Sequence, residues 1–223
     1  MAQSNSALVA TRRRFVQYGT MLGVGAQAFP HTRDIRASVL EGQEAAGLAE
    51  AWPTMQYRKL GNTGHNSSRL VFGCGATLSR EPHDDLLNTA YDAGVNTFDV
   101  GYKHYYADAE KHLGPFLRKH RDDIFLISKA RVEVDLEQEE KISVAQAKEA
   151  AKSWSAYLDE SLGEMGIEHV DAYYYMAAYN VSVVKNEELH RAFEDAKAAG
   201  KVSHLGLSSH QNADKVLKAA IET

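Results

Sequence analysis

The sequence of 223 residues contains a single cysteine, Cys74. No disulfide can form within the chain, whatever its compartment, and these residues cannot hold a zinc or iron–sulfur centre on cysteine alone. In the stretch VFGCGA this cysteine reads as a small buried strand residue. Basic charge is also short. Lys and Arg number 25 against 30 Asp and Glu, a formal net charge of −5, which argues against a nucleic-acid partner. No apolar run near the N-terminus is long enough to span a bilayer, so no integral span is expected in the mature chain. A Gly-x-Gly-x-x-Gly turn is missing too, because GCGATL fails at the third glycine; this disfavours an open dinucleotide-binding sheet. What remains is ordinary for a globular chain of one large or two small domains: 44% apolar and 25% charged residues.

The first thirty residues do not read as fold. TRRRFVQYGTMLGVGAQAFP opens on an arginine triplet, continues into a mildly apolar run with three glycines, and reaches AQA. That is the plan of a signal peptide, with cleavage expected near Ala28. Thr11-Arg12-Arg13-Arg14-Phe15 also looks like a twin-arginine signature. Export to the periplasm through the twin-arginine machinery is therefore expected, the route of proteins that leave already folded. Residues 31–54 read as a weakly structured lead-in.

From residue 55 the pattern becomes regular. YRKLGNTGHNSSR reads as two short strands about a turn, followed by an apolar strand at 70–73. Amphipathic helices and apolar strands then alternate. Helices are expected over 84–93, 107–120, 143–165, 186–200 and 212–223, and strands over 95–100, 124–130, 169–176 and 201–209. Ser143 and Asn186 are candidate helix caps, and Gly94, Gly166 and Gly200 candidate stops. Continuous apolar strands alternating with helices imply a parallel sheet with helices outside. Five strand–helix units fit either an open sheet or a (β/α)8 barrel lacking its last three units. The missing glycine fingerprint favours the barrel, and with it the expectation that the sequence is C-terminally incomplete.

Six segments taken in order resemble the aldo-keto reductase family: YRKLGNTGHNSSRLVFGCG, AGVNTFDV, HLG, IFLISKA, SLGEMGIEHVDAYYY and AAGKVSHLGLSSH. The resemblance implies a (β/α)8 barrel plugged by an N-terminal hairpin, here about five βα units over residues 55–223. It implies NADP(H) at the C-terminal ends of the strands and a small-molecule carbonyl substrate. In the family, hydride passes from nicotinamide to the carbonyl carbon and a tyrosine gives the oxygen its proton. A lysine and an aspartate support that tyrosine, and a histidine supplies a second hydrogen bond.

Asp99 and Lys129 match the family's aspartate and lysine. The other two positions depart. The tyrosine usually follows the aspartate by five residues, and His104 stands there. A one-residue insertion would bring Tyr105 into place, so Tyr105 and His104 are both candidate donors, with Tyr105 preferred. Five residues after Asp171 the family has histidine, and here stands Met176, whose thioether cannot donate. Losing one such donor typically costs about 10²–10³ in rate. Ser208 and Ser209, in GLSSH, match the segment that holds the nicotinamide carboxamide, although a serine there could equally cap the following helix. The family's clamp for the adenosine phosphate belongs to units this sequence does not contain, so NADPH over NADH follows from the resemblance alone. Some relatives carry an iron–sulfur tail, which would lie beyond Thr223. The acidic run EVDLEQEEK, 133–141, reads as a solvated loop on the mouth side. The leading expectation is an exported oxidoreductase with an altered acid site. The alternative is a barrel without turnover that serves as a binding or sensor protein.

Overall fold

The computed structural model describes residues 54–223. The leader at 1–30 and nearly all of the lead-in lie outside the described residues. The chain enters through an antiparallel hairpin, β1 (Tyr57–Lys59) on β2 (Asn66–Ser68). Gly61 and Gly64 turn it with φ of 51° and 81°, backbone that glycine adopts at little cost.

Five strands follow in one parallel sheet whose spatial order is the order of the chain: β3 (Phe72–Gly73), β4 (Thr97–Asp99), β5 (Phe125–Arg131), β6 (Val170–Met176) and β7 (Val202–Leu207). Between them run α1 (Gly75–Leu78), α2 (Asp84–Asp92), α3 (Lys103–Tyr106), α4 (Ala109–His120), α5 (Val144–Met165), α6 (Val181–Val184), α7 (Glu187–Ala198) and α8 (Ala213–Ile221). This is a (β/α)8 barrel over five of its units. The strand expected at 70–73 is shorter than its apolar pattern suggests. Leu70 and Val71 are exposed ahead of β3, because nothing packs over them among the described residues.

Local chemistry fixes the helix ends. Ser143 accepts from the Gln146 N–H while the Gln146 side chain accepts from the Ser143 N–H, a reciprocal cap on α5. Gly166 closes the same helix with φ of 67°. Asn186 caps α7 through the N–H groups of Glu188 and Leu189.

Period-2 alternation divides each strand between two environments. Phe98, Leu126, Tyr173 and Tyr175 point toward the helices and join Leu113, Phe116, Trp154, Leu158 and Leu162 in the main apolar core. Phe125, Ile127 and Ala172 point the other way, into the concave side, where Leu60 and Tyr174 pack on them. The hairpin closes the N-terminal end of that concave side. His65 stacks on Phe125 with 4.9 Å between ring centres, and the Ser67 and Thr97 hydroxyls lie 2.7 Å apart. The C-terminal strand ends are left open, which is where barrels of this kind carry their chemistry.

Candidate active site

Asp99 is the last residue of β4, and Lys129 sits two residues before the end of β5 on the concave face. The Lys129 ammonium, nearly buried, donates to Asp99 Oδ1, while the Asp99 side chain is 30% exposed. Burying an ammonium without a partner would be costly. The pair therefore holds the lysine side chain in a defined place.

Tyr106 completes the group. Its ring occupies a slot between two glycines. A Cβ on Gly75 would come within 2.6 Å of its Cε1, and one on Gly101 within 2.9 Å of its Cδ2. Lys129 Nζ lies 5.8 Å from the ring centre. Burial, then the charge of Asp99, then Tyr105 hold the phenol above its ordinary pKa, so it carries its proton at neutral pH. Such a phenol is a donor. Cys74 lies alongside, its N–H donating to the Asp99 carbonyl at 2.7 Å. Burial above all, and next the Asp99 charge, drive its thiol far up, so it stays protonated and inert.

The two candidate donors read from the sequence are placed elsewhere. Residues 103–106 form one helical turn, and successive side chains on a helix point about 100° apart. Tyr106 turns inward; Tyr105 turns out, 54% exposed, edge-on to Tyr106 with 4.8 Å between centres. His104 faces α5, where its Nε2 lies 2.8 Å from Glu160 Oε2. Lys103 binds Glu160 and Glu164 on the same helix at 2.7 and 3.1 Å. The structure thus brings Asp99, Lys129 and Tyr106 together and leaves Tyr105 and His104 outside that group. Ala107, with φ of 48°, turns the chain out of this helical turn toward α4.

Met176 is buried at the end of β6, opposite Arg131 in the β5–β6 register. Ser208 Oγ accepts from the Ala177 N–H at 3.1 Å, tying the end of β7 to that of β6. Its own hydroxyl hydrogen meets no acceptor among the described residues. Ser209 is half-buried and donates to the Gln211 carbonyl at 2.8 Å, so its hydrogen is already committed.

Two groups escaped the reading of the sequence. Tyr174, opposite Lys129 in register, lays its ring over Gly206, where a Cβ would meet it at 2.2 Å. Burial and then the Asp99 charge raise its phenol. Behind the sheet, Glu110 is 1% exposed. Its Oε1 accepts from Ser128 Oγ at 2.6 Å, and its Oε2 has no partner among the described residues. Burial pushes this carboxyl to about 7, against the pull of Ser128 and Ser161. A glutamate two residues into α4, facing a serine in an apolar strand, was the available signal for it. For Tyr106 the spacing along the chain carried no such signal: Tyr102, four residues earlier, precedes the helical turn and packs on Tyr157 of α5. Among the described residues no group of three or more His, Cys, Asp or Glu side chains could hold a metal ion. None of their helices is long and apolar enough to cross a membrane.

The model of the aldo/keto reductase family matches residues 69–222. Norsolorinic acid reductase B of Aspergillus parasiticus is 31% identical over 58% of this chain and 34% of its own length. L-glyceraldehyde 3-phosphate reductase of Escherichia coli is 28% identical over 72% of this chain and 47% of its own. The chain therefore spans about a third to a half of the length of these relatives. A solved Pseudomonas aeruginosa protein assigned as an aldo-keto reductase superposes with a TM-score of 0.56 at 23% identity, over 73% of this chain and 63% of its own.

Proposed function

Because the chain belongs to the aldo/keto reductase family, we propose that it is an NADP(H)-dependent oxidoreductase of small carbonyl compounds in which Tyr106 gives the proton. One observation carries this reading: the Lys129 ammonium is bonded to Asp99 on one side and stands 5.8 Å from the Tyr106 ring centre on the other. A bound nicotinamide dinucleotide supplies the hydride. Everything else falls to the chain.

Ser208 fits the carboxamide end of such a group, since its hydroxyl hydrogen is uncommitted and its position in the strand alternation puts it on the concave side with Gly206. Ser209 does not fit without giving up Gln211. Tyr106 holds its proton until a carbonyl oxygen becomes alkoxide-like, a stronger base than a phenolate. Transfer toward the alcohol is then favourable even from a phenol of raised pKa. Lys129 stabilises the phenolate left behind, and Asp99 holds Lys129 in place. Met176 offers no second donor, so the oxygen is held by one phenol where relatives use two groups.

The test is NADPH consumption over a panel of aldehydes. Tyr106→Phe lowers kcat by about 10²–10⁴, the range for a lost general acid, and Tyr105→Phe leaves it within about a factor of two. An inverted order of the two variants would sink the assignment. Met176 also favours a second reading, a barrel that binds the dinucleotide without turnover. Binding of NADPH, followed by tryptophan fluorescence, with no consumption on any aldehyde would select it. The twin-arginine pattern of the leader supports export with the cofactor already held, and sequencing the mature N-terminus checks that point.

A further inference from the structure

Beside the Lys129–Tyr106 pair stands a second cation–ring pair that the proposed chemistry does not use. Arg131 ends β5, two residues beyond Lys129 and on the same side by strand alternation, about 7 Å further toward the open end. Its guanidinium lies 5.6 Å from the centre of the exposed Tyr105 ring, and that ring in turn stands edge-on to Tyr106. Arg131 is exposed, and among the described residues no carboxylate pairs with it, whereas Lys129 has Asp99 and Lys103 has two glutamates. The nearby acidic loop does not supply a partner either. Glu139 binds Lys215 at 2.6 Å, and Glu133 lies 3.4 Å from the Tyr102 hydroxyl. Arg131 is therefore an uncompensated cation at the mouth, oriented by a ring and one ring away from the proton donor.

We infer that Arg131 selects substrates: the site takes short carbonyl compounds that bear a carboxylate or phosphate a few bonds from the carbonyl. This rests on the reductase reading of the site. A guanidinium offers two parallel N–H donors to such an anion, and stacking on Tyr105 fixes the plane of the fork before the substrate arrives. With the carbonyl oxygen at Tyr106, the anion falls on Arg131. The Met176 position, opposite Arg131 in register, then lies against the carbon chain between the two polar ends.

The experiment uses the full chain and two kinds of probe. Succinic semialdehyde and butanal are compared as substrates with NADPH, and succinate and succinamide, which cannot be reduced, are titrated by calorimetry. Succinate binds at least about tenfold more tightly than succinamide, and Arg131→Gln removes the difference. The same variant lowers kcat/KM for succinic semialdehyde about tenfold or more, leaves butanal within about twofold, and leaves NADPH affinity unchanged. Equal binding of succinate and succinamide by the unsubstituted chain would overturn the inference. So would weaker NADPH binding in Arg131→Gln, which would assign the guanidinium to a phosphate of the cofactor. Selective succinate binding without NADPH consumption on either aldehyde would instead overturn the reductase reading and leave the anion site standing.

Discussion

On the helix-covered side of the sheet, Trp154 packs edge-on against both Tyr173 and Tyr175, at 5.2 and 5.3 Å, and Phe98 leans on Phe116 at 5.0 Å. Alternate residues of the same strands face the concave side and are of another kind: Asp99, Lys129, Arg131 and Tyr174. One side is filled by shape along its length, while the open end of the other is lined by charge and glycine. The difference teaches where stability and chemistry reside. Apolar area removed from water supplies the favourable energy of folding. The concave mouth gives up that area to hold a lysine, an aspartate and two phenols where a substrate can reach them.

The strongest way to break this comparison is to empty the packed side. Trp154 is fully buried, and Trp154→Ala should cost about 3–5 kcal/mol, the range for losing a large core side chain and leaving a cavity. Urea unfolding followed by circular dichroism measures it. A loss under about 1 kcal/mol would mean that the helix side is not where the fold is held.

Glu110 sharpens the contrast, because it is the one fully buried carboxylate among the described residues, and it lies on the packed side. Its folded-state pKa of about 7 exceeds the ordinary 4.5. The folded chain therefore binds more protons than the unfolded chain between those values, and stability falls as pH rises through that window. Below pH 4.5 the penalty vanishes, and above about 7 it is complete. At about 1.4 kcal/mol per pH unit, the span bounds the effect at roughly 3 kcal/mol. Glu110→Gln keeps the Ser128 hydrogen bond and removes the titration. The variant should gain on the parent as pH rises from 5 to 7.5 and run parallel to it above. Parallel stability curves across the whole range would show that Glu110 is ionised in the folded state without cost.

Much of this architecture was legible in the sequence. Parallel strands buried on both sides read as unbroken apolar runs, as IFLISKA does, and Ser143, Asn186 and Gly166 mark helix ends by chemistry that acts within a few residues. The donor was harder to see. Which of three neighbouring aromatic or imidazole rings faces Lys129 depends on a single helical turn and on partners far along the chain. His104 goes outward because Glu160 waits 56 residues later, and Tyr105 because Arg131 does. Tyr106 goes inward because Gly75 and Gly101 leave it room. Counting from Asp99 along the chain measures none of these. The leader has no counterpart in the described residues, so export rests on the sequence pattern.

The smallest expected effect on stability is also the sharpest test of the concave side. Gly101 has an ordinary backbone, so alanine there suffers no conformational strain, and its added methyl meets only side chains: the Tyr106 ring at 2.9 Å and Lys129 Cγ at 3.1 Å. Both can yield. The Tyr106 ring is half-buried and has solvent on its open side, so it can swing outward, and Gly101→Ala should cost no more than about 1 kcal/mol, the low end for inserting a methyl into a packed site. The displaced ring, however, leaves Lys129. Turnover of any aldehyde the parent reduces should fall toward that of Tyr106→Phe while the urea midpoint hardly moves. A large loss of stability would put Gly101 with Trp154 as part of the packed core. Unchanged stability with unchanged turnover would mean that the slot does not hold the donor, and Tyr106 would lose the geometric argument for its role.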